Sequence, residues 1–423
     1  MHKNTLFVLS LSFALTACGG DSADTPSPSP AAEAPAPAAQ GAQDPLVGGP
    51  FPTLILSQAW FTKGSDGKPK PGPARLEIWR QGESGWDFTR LEDPDSNVFH
   101  KSILRDDGSI LTIGASGAWF KKWQFANGKW SQETLWHESW GGKFDRLRDI
   151  EIGDVDGDGQ EEYVIATHDY GVLAVYNPPA EGQEAEIIQL DKKADTFVHE
   201  IEIGDIEGDG QLEFFATPSD RNKANQSQHG EVVMYKFDGE QYVRSIVDPG
   251  EGTHAKEILV SDIDGDGKSE VFSVQEAVID ANKKVLKPVT IRQYTAKADG
   301  SFGYKEIAQI DDRQTRFLLA EDFDGNGTKE LIAAAMKTGL YRINLENGAW
   351  TTTQFDANSA SFEHAIVAAD LEADGQRELY VAADDQQELK RYDWNAETGT
   401  FDKTLLGKLE GQVFTWNIEA GSL

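Results

Sequence analysis

Five acidic loops carry the residues with the most recognisable chemistry. The stretches DVDGDGQEE, DIEGDGQLE, DIDGDGKSE, DFDGNGTKE and DLEADGQRE begin at positions 154, 205, 262, 322 and 370. Each has oxygen-bearing side chains at its first, third, fifth and ninth positions and glycine at its sixth. Because Ca²⁺ takes roughly six to eight oxygen ligands, this alternation around a sharp turn is typical of a calcium loop. We therefore predict up to five structural Ca²⁺ sites, in acidic loops 1 to 5.

The predicted ligands are four side chains per loop and the backbone carbonyl of its seventh residue. They are Asp154, Asp156, Asp158, Gln160, Glu162, Asp205, Glu207, Asp209, Gln211, Glu213, Asp262, Asp264, Asp266, Lys268, Glu270, Asp322, Asp324, Asn326, Thr328, Glu330, Asp370, Glu372, Asp374, Gln376 and Glu378. An EF-hand is excluded, since its twelfth position requires a bidentate glutamate and Ile165 stands there in loop 1. The alternative is an Asp- and Gly-rich turn without metal, because these residues favour turns anyway.

The segments around the loops predict the fold. Alternating runs such as EIEIG precede each loop, a run such as EYVIA follows it, and two further short strands complete the unit. Four strands in about fifty residues are typical of a propeller blade. Residues 102–124 form a degenerate unit, the segment before them supplies three strands, and QVFTWNIEAG near the end supplies one. We predict an all-β, seven-bladed β-propeller over 46–423, closed by pairing the C-terminal strand innermost into the first blade.

The beginning of the chain predicts export and lipid anchoring. Residues 1–18 combine a short basic start, an apolar run and small residues, which is typical of a signal peptide. Leu15-Thr16-Ala17-Cys18 resembles a bacterial lipobox, which implies lipid attachment at Cys18 and a location at the outer membrane, facing the periplasm or the cell surface. Residues 19–45 are rich in Pro, Ala and Ser and predict a semi-extended tether.

The amino-acid composition argues against some classes of partner and some kinds of chemistry. The chain has 71 acidic against 39 basic residues and a formal charge of −32, which argues against nucleic acid as a partner. Cys18 is its single cysteine, so an intrachain disulfide is impossible. The sequence contains no GxSxG, P-loop or HExxH motif.

A second recurring position is basic. Six residues before the first Asp of each acidic loop stand Arg148, His199, Lys256, Arg316 and His364, and His100 holds the same place before Asp106. If the register is regular, these side chains surround the mouth of the central channel, where concentrated positive potential attracts an anion. Asp169 is predicted on the same face, which makes these seven residues candidate ligand-binding residues. The alternative is ordinary ion pairing with neighbours such as Asp149, Glu200 or Glu363.

The acidic repeat resembles the FG-GAP/VCBS repeats of integrin-α-like propellers and of bacterial surface proteins. The resemblance covers residues 148 to about 405 and implies a propeller stabilised by calcium. It leaves the function open, since this fold hosts adhesins, lectins and lyases. The sequence favours a lipid-anchored binding or adhesion module for an acidic glycan or an envelope protein over an enzyme.

Two alternatives stay open. One is a lyase acting on an acidic polysaccharide, in which His199, His364 or Tyr170 is the base and Arg148 or Arg316 neutralises the substrate carboxylate. The other is a scaffold subunit of an envelope complex.

Overall fold

The computed structural model describes residues 50–180, 182–221, 227–250, 252–297 and 299–423. The predicted signal peptide, the lipobox with Cys18 and the tether lie outside these residues. The described residues form strands and turns, with no helix among them, and so none with the length and hydropathy of a membrane span.

The strands of the described residues are short and regularly spaced. In chain order they are β1 Pro52–Lys63, β2 Pro69–Pro71, β3 Ala74–Gly82, β4 Gly85–Asp93, β5 Phe99–Leu104, β6 Ile110–Gly114, β7 Trp119–Ala126, β8 Lys129–His137, β9 Leu147–Gly153, β10 Glu162–Thr167, β11 Leu173–Asn177, β12 Glu186–Leu190, β13 Thr196–Gly204, β14 Glu213–Asp220, β15 Val232–Phe237, β16 Tyr242–Asp248, β17 Ala255–Ser261, β18 Glu270–Gln275, β19 Val278–Ile279, β20 Val285–Lys287, β21 Val289–Ala296, β22 Phe302–Ile310, β23 Thr315–Glu321, β24 Glu330–Ala335, β25 Gly339–Glu346, β26 Ala349–Asp356, β27 Ile366–Ala369, β28 Glu378–Ala383, β29 Glu388–Asn395, β30 Thr400–Lys408 and β31 Gln412–Ser422.

These strands build the seven predicted blades. Blade 1 has the order β31-β1-β3-β4, and blades 2 to 4 are β5-β6-β7-β8, β9-β10-β11-β12 and β13-β14-β15-β16. Blades 5 to 7 are β17-β18-β21-β22, β23-β24-β25-β26 and β27-β28-β29-β30. All neighbours pair antiparallel, β2 extends blade 1 beside β1, and β19 with β20 forms a separate hairpin on blade 5. The prediction of an all-β, seven-bladed propeller is confirmed.

The C-terminal strand closes the ring as predicted. β31 pairs with β1 from Pro52 opposite Ser422 to Phe61 opposite Gln412, with one register shift after Ser57. Thr415 of β31 donates its backbone N–H and its hydroxyl to the carboxylate of Asp384, at 2.7 and 2.8 Å. Since Asp384 follows β28, the last strand is bound to the first and to the seventh blade at once.

The core lies between neighbouring blades. Second strands such as β24, with the sequence ELIAAA, are buried along their whole length because a blade packs on both of their sides. Between blades 5 and 6 the buried cluster includes Phe272, Ile291, Leu331 and Ile343. Burying one such large apolar side chain contributes roughly 1.5–3 kcal/mol. This packing fixes the two ends of each blade, which carry the candidate sites.

The two ends are different surfaces. The acidic loops join the innermost strand of blades 3 to 7 to the second strand, and we call that end the loop face. The chain enters the innermost strands at the opposite end, where second strands also turn into third strands, and we call it the channel face.

Candidate functional site

On the loop face, two hydrogen bonds recur in all five acidic loops. The carboxylate of the first Asp accepts the N–H of the invariant glycine, at 2.8 to 3.0 Å. The ninth-position Glu accepts the N–H of the second residue, at 2.9 to 3.3 Å. Each loop is therefore closed by its own carboxylates, and this accounts for part of the repeat without any metal.

Four loops also gather three carboxylates around one point. Their ligand atoms lie within 4.8 Å of one another in the groups Asp154–Asp156–Glu162, Asp262–Asp264–Glu270, Asp322–Asp324–Glu330 and Asp370–Asp374–Glu378. In loops 1 and 3 no described basic side chain forms an ion pair with the group. Burial raises the pKa of Glu162 to about 7, and the nearby Asp156 and Asp158 act in the same direction. A hard divalent cation with oxygen ligands fits these two loops, because it would supply the missing positive charge.

Loops 2 and 4 contain a cation of their own. The ammonium of Lys236, on β15, lies 2.7 Å from Glu207 and 2.9 Å from Glu213 in loop 2. In loop 4 the guanidinium of Arg342, on β25, contacts both Asp324 and Glu330. Both basic residues lie on the third strand of their blade and not in the loop. The loop sequence alone therefore could not predict them. In loop 5, Arg391 on the third strand β29 pairs with Glu372, so loops 1 and 3 fit the ion best, and the calcium ligands remain predictions.

On the channel face, five of the six predicted basic residues come together. His100, Arg148, His199, Lys256 and Arg316 stand at the start of the innermost strands, and each is less than a tenth exposed. Glu363 of blade 7 binds the guanidinium of Arg316 at 2.7 Å and that of Arg148 at 3.7 Å. Glu363 is thus one of the acids that the ion-pair alternative named.

Aromatic and acidic side chains complete a closed circuit. Arg148 lies over the ring of Trp416, 5.1 Å from its centroid, and Trp416 contacts His100 at 4.6 Å. Imidazole contacts continue from His100 through His168 and His199 to His254, with centroids 4.9 to 6.4 Å apart. Glu276 then lies 3.8 Å from His254, 3.4 Å from Lys256 and 3.8 Å from Arg316. We call this set the channel ring, which consists of His100, Arg148, His168, His199, His254, Lys256, Glu276, Arg316, Glu363 and Trp416.

Two predicted ligand-binding residues lie outside the channel ring. His364 has a positive φ of 62°, and its ring nitrogens meet the Ser359 hydroxyl and the Ala335 carbonyl. The turn of the backbone at His364 thus places Glu363, and not His364, at the ring position. Asp169 accepts the N–H groups of Phe144 and Asp145, which gives its carboxylate a role in the loop between blades 2 and 3.

Sequence reasoning missed four of the ten residues of the channel ring. His168 and Glu276 directly follow the second strands β10 and β18, and His254 directly precedes β17. These positions lie on the channel face in any propeller, so a search for polar residues after second strands would have found two of them. Trp416 belongs to β31, whose innermost position was predicted, but Trp416 itself was not named as a residue of the channel.

The histidines of the ring are neutral bases. Burial lowers the pKa values of His168 and His199 well below 6.5, and the charges of Arg148 and Lys256 lower them further. Among the described residues, neither nitrogen of His168 and not Nε2 of His199 has a hydrogen-bond partner. Burial opposes ionisation of Glu276, but Lys256, His254 and Arg316 outweigh it and lower its pKa to about 2. With three cations and two carboxylates, the ring carries one net positive charge.

A second layer has the opposite charge. One to three residues further along the innermost strands stand Asp149, Glu151, Glu200, Glu202 and Glu257, together with Lys101. Lys101 binds Asp149 at 2.9 Å and also contacts Glu151. Burial raises the pKa values of Glu200, Glu202 and Glu257 well above the usual range. An anion that enters from the channel face therefore meets a positive ring first and is opposed by the acids behind it.

Sequence comparison finds similarity over part of the chain. A family profile described as Rhamnogalacturonan lyase family 11, C-terminal domain, matches residues 175–297. Rhamnogalacturonan endolyase YesW of Bacillus subtilis (strain 168) is 25% identical over 226 residues, which cover 42% of this chain and 36% of that enzyme. The match thus spans about a third of the enzyme's length. The residues matched by the profile include His199, His254, Lys256 and Glu276 of the channel ring.

Solved structures support the architecture alone. A Lactobacillus plantarum protein is 12% identical with a TM-score of 0.54, and it covers 88% of this chain and 99% of its own. The periplasmic gluconolactonase PpgL of Pseudomonas aeruginosa is 13% identical with a TM-score of 0.52, and it covers 88% and 99%. At such identities the likeness concerns the fold and carries no activity.

Proposed function

We propose that this protein is a lyase of acidic polysaccharides that works at the channel ring on chains of the rhamnogalacturonan type. The observation that carries the proposal is a neutral imidazole, His199, whose Nε2 has no described partner, in a ring with Arg148 and Lys256. The similarity to a rhamnogalacturonan lyase family supports the same conclusion.

The first step is recognition of the uronate carboxylate. The ring has one more cation than it has carboxylates, so a single bound carboxylate would neutralise it. The charges of Arg148 and Lys256 lower the pKa of His199, which supports a carboxylate position close to the proposed base. A negative ligand there also opposes the lowering of the histidine pKa, so that the substrate strengthens the base that attacks it.

The second step is elimination. Nε2 of His199 takes the proton from the carbon next to the substrate carboxylate, and the electron pair of that bond forms a carbon–carbon double bond. The neighbouring glycosidic carbon–oxygen bond breaks, and the departing oxygen keeps its electron pair and is protonated by the imidazolium or by water. Arg148 and Lys256 stabilise the negative charge that builds on the carboxylate as the proton leaves. His364 is a poorer base, since both of its nitrogens are already engaged.

A second candidate function is binding of acidic glycan without turnover. It is favoured by the ion pairs that Arg148 and Arg316 make with Glu363 and by the burial of both side chains, which leave them little freedom to follow a reaction. An envelope protein as partner and a scaffold role, both predicted from the sequence, are separate from this candidate and do not require polysaccharide binding.

The rest of the proposal concerns the scaffold and its location. Ca²⁺ in the acidic loops, first in loops 1 and 3, would hold the first two strands of a blade together and stabilise the propeller. Lipidated Cys18 and the tether would hold the protein at the outer membrane, where a polysaccharide arrives from outside.

The experiment uses the full chain in calcium buffer with rhamnogalacturonan, polygalacturonate and neutral polysaccharides. The ultraviolet absorbance of unsaturated uronate reports turnover, and calorimetry reports binding. We expect turnover on rhamnogalacturonan and a loss of about 10²- to 10⁴-fold in kcat for His199→Gln. His137→Gln is the matched control, because His137 is exposed and stacks only on Trp119. Binding without absorbance would leave the second candidate, and no binding to any polysaccharide would overturn both.

A further inference from the structure

Beside the channel ring lies a groove that the elimination step does not use. It has a cavity volume of about 370 Å³ and lies between blades 3 and 4 on the channel face. Its walls include Lys192, Lys193, Thr196, Ser219, His229 and Arg244, and we call it the blade 3–4 groove. Thr196 begins β13, the innermost strand that carries His199 three residues later. The groove and the proposed base therefore share one strand.

Close backbone packing builds the groove and connects it to the ring. The N–H of Lys193 donates to the carbonyl of Tyr170 at 2.7 Å, and Asp220 donates to the carbonyl of His229 at 2.8 Å. Gly230 in the wall has no room for a side chain, since an added Cβ would lie 2.5 Å from Cβ of His254. The wall of the groove thus packs directly on a residue of the channel ring, which leaves no gap for another element between them.

The charges of the groove fall into two groups. Arg244 is fixed by Asp191 at 2.8 Å and Glu231 at 2.5 Å, so these three side chains carry one net negative charge, and the exposed Asp220 in the wall adds a second. Lys192 and Lys193 are exposed and form no ion pair with any residue that the structure describes. Lys192 lies 5.9 Å from the ring of Tyr170. The ammonium groups of Lys192 and Lys193 therefore offset the two negative charges of the rest of the wall, and they are adjacent to each other in the groove.

We propose that the blade 3–4 groove binds a second uronate of the same polysaccharide, while the first one occupies the channel ring. The inference rests on the proposed function for the choice of polysaccharide. The volume lies within the roughly 300–1,000 Å³ of ordinary ligand sites. Lys192 and Lys193 supply charge-assisted hydrogen bonds to the carboxylate. The substrate class is thus a chain with at least two uronates, and affinity rises when the second one is present.

The test uses a double variant that carries both Lys192→Gln and Lys193→Gln. It is compared with wild type on rhamnogalacturonan oligosaccharides of increasing length. We expect KM and the calorimetric Kd to rise about tenfold for oligosaccharides with two or more uronates. For an oligosaccharide with one uronate both should stay unchanged, as should kcat. The matched control is a double variant that carries both Lys283→Gln and Lys284→Gln. These exposed lysines are also adjacent, and they lie between β19 and β20 on blade 5.

Each other outcome has a defined meaning. An equal loss for one-uronate and longer oligosaccharides, an equal loss in the control variant, or no loss at all would overturn the second subsite. Wild type that binds the oligosaccharides without turnover would remove the lyase function, yet a length-dependent loss in the groove variant would still support the groove. Wild type that binds none of them would overturn both.

Discussion

The two faces of the propeller handle charge in opposite ways. On the loop face, loops 1 and 3 gather three carboxylates each, and no described basic side chain pairs with them. On the channel face, Arg148 and Arg316 are buried and share Glu363. Surface acids can take their counter-charge from solvent ions, whereas a buried charge needs a partner within the fold. We therefore expect the stability of the loop face to depend on cations in the buffer, and that of the channel face to depend on its own charged side chains.

Loops 2 and 4 sharpen this comparison within one face. Lys236 and Arg342 occupy there the place that a metal ion would take in loops 1 and 3. The same nine-residue pattern therefore supports two solutions, an external cation or a side chain from the third strand.

The largest expected effect comes from removing calcium. A site that is bound only in the folded state stabilises it by about 2.7 kcal/mol at a free ion concentration of a hundred times Kd. With loops 1 and 3 occupied, we expect EGTA to lower the free energy of unfolding by roughly 5 kcal/mol. Urea titrations with EGTA and with saturating Ca²⁺ measure this change in the free energy of unfolding. Sodium chloride of equal ionic strength is the control. Equal stability in both would mean that the loops are metal-free turns.

On the channel face, Glu363→Gln should lower the free energy of unfolding by about 3–5 kcal/mol. The reason is that it leaves two buried guanidinium groups without their shared carboxylate. Glu410→Gln is the control, since Glu410 is an exposed partner of Arg90 whose loss costs at most about 1 kcal/mol. Urea titration of both variants in calcium gives the comparison. Similar costs for the two would show that Glu363 is not a buried counter-ion in solution.

Asp384 tests a buried carboxyl that forms no ion pair with a basic residue that the structure describes. Burial raises its pKa to about 6, although hydrogen bonds from Thr415 and Ser361 act against the rise. The folded state therefore holds the proton more tightly than the unfolded state does. The free energy of unfolding should fall by up to roughly 3 kcal/mol as pH rises from about 4 to about 6. Asp384→Asn should remove this fall, and an unchanged pH profile would contradict the assignment.

The smallest expected effect distinguishes single loops. Asp156→Asn in loop 1 should remove at most about 2.7 kcal/mol of calcium-dependent stability. Glu207→Gln in loop 2 should leave the calcium dependence unchanged, because Lys236 already meets the carboxylates there. Thermal unfolding with and without Ca²⁺ measures both. An equal loss in the two variants would show that the lysine does not replace the ion.

Repeated features were predictable from the sequence, and single features were not. The blades followed from strand alternation around the acidic loops, and the closure followed from an unpaired strand at each end. Five of six basic positions came together because the innermost strands share a register. His364 departed because its backbone has a positive φ and β27 begins only at Ile366, which no side-chain pattern reveals.

The partners of these repeated residues lay beyond prediction for another reason. His254 contacts His199 of blade 4, Glu276 contacts Arg316 of blade 6, and Lys236 reaches loop 2 from a neighbouring strand. Such contacts depend on three-dimensional distance between segments that carry no common spacing.

The seam between β1 and β31 has a consequence for assembly. Phe51 and Ser422, 371 positions apart, are joined there by a hydrogen bond. Loop closure entropy grows only as the logarithm of length, so extra residues inserted in any blade would hardly weaken the seam. Until β31 docks, however, β1 presents an unpaired edge that accepts a strand from any molecule nearby. Dilution during refolding should therefore favour closed monomers, while crowded refolding should yield exchanged dimers and aggregates.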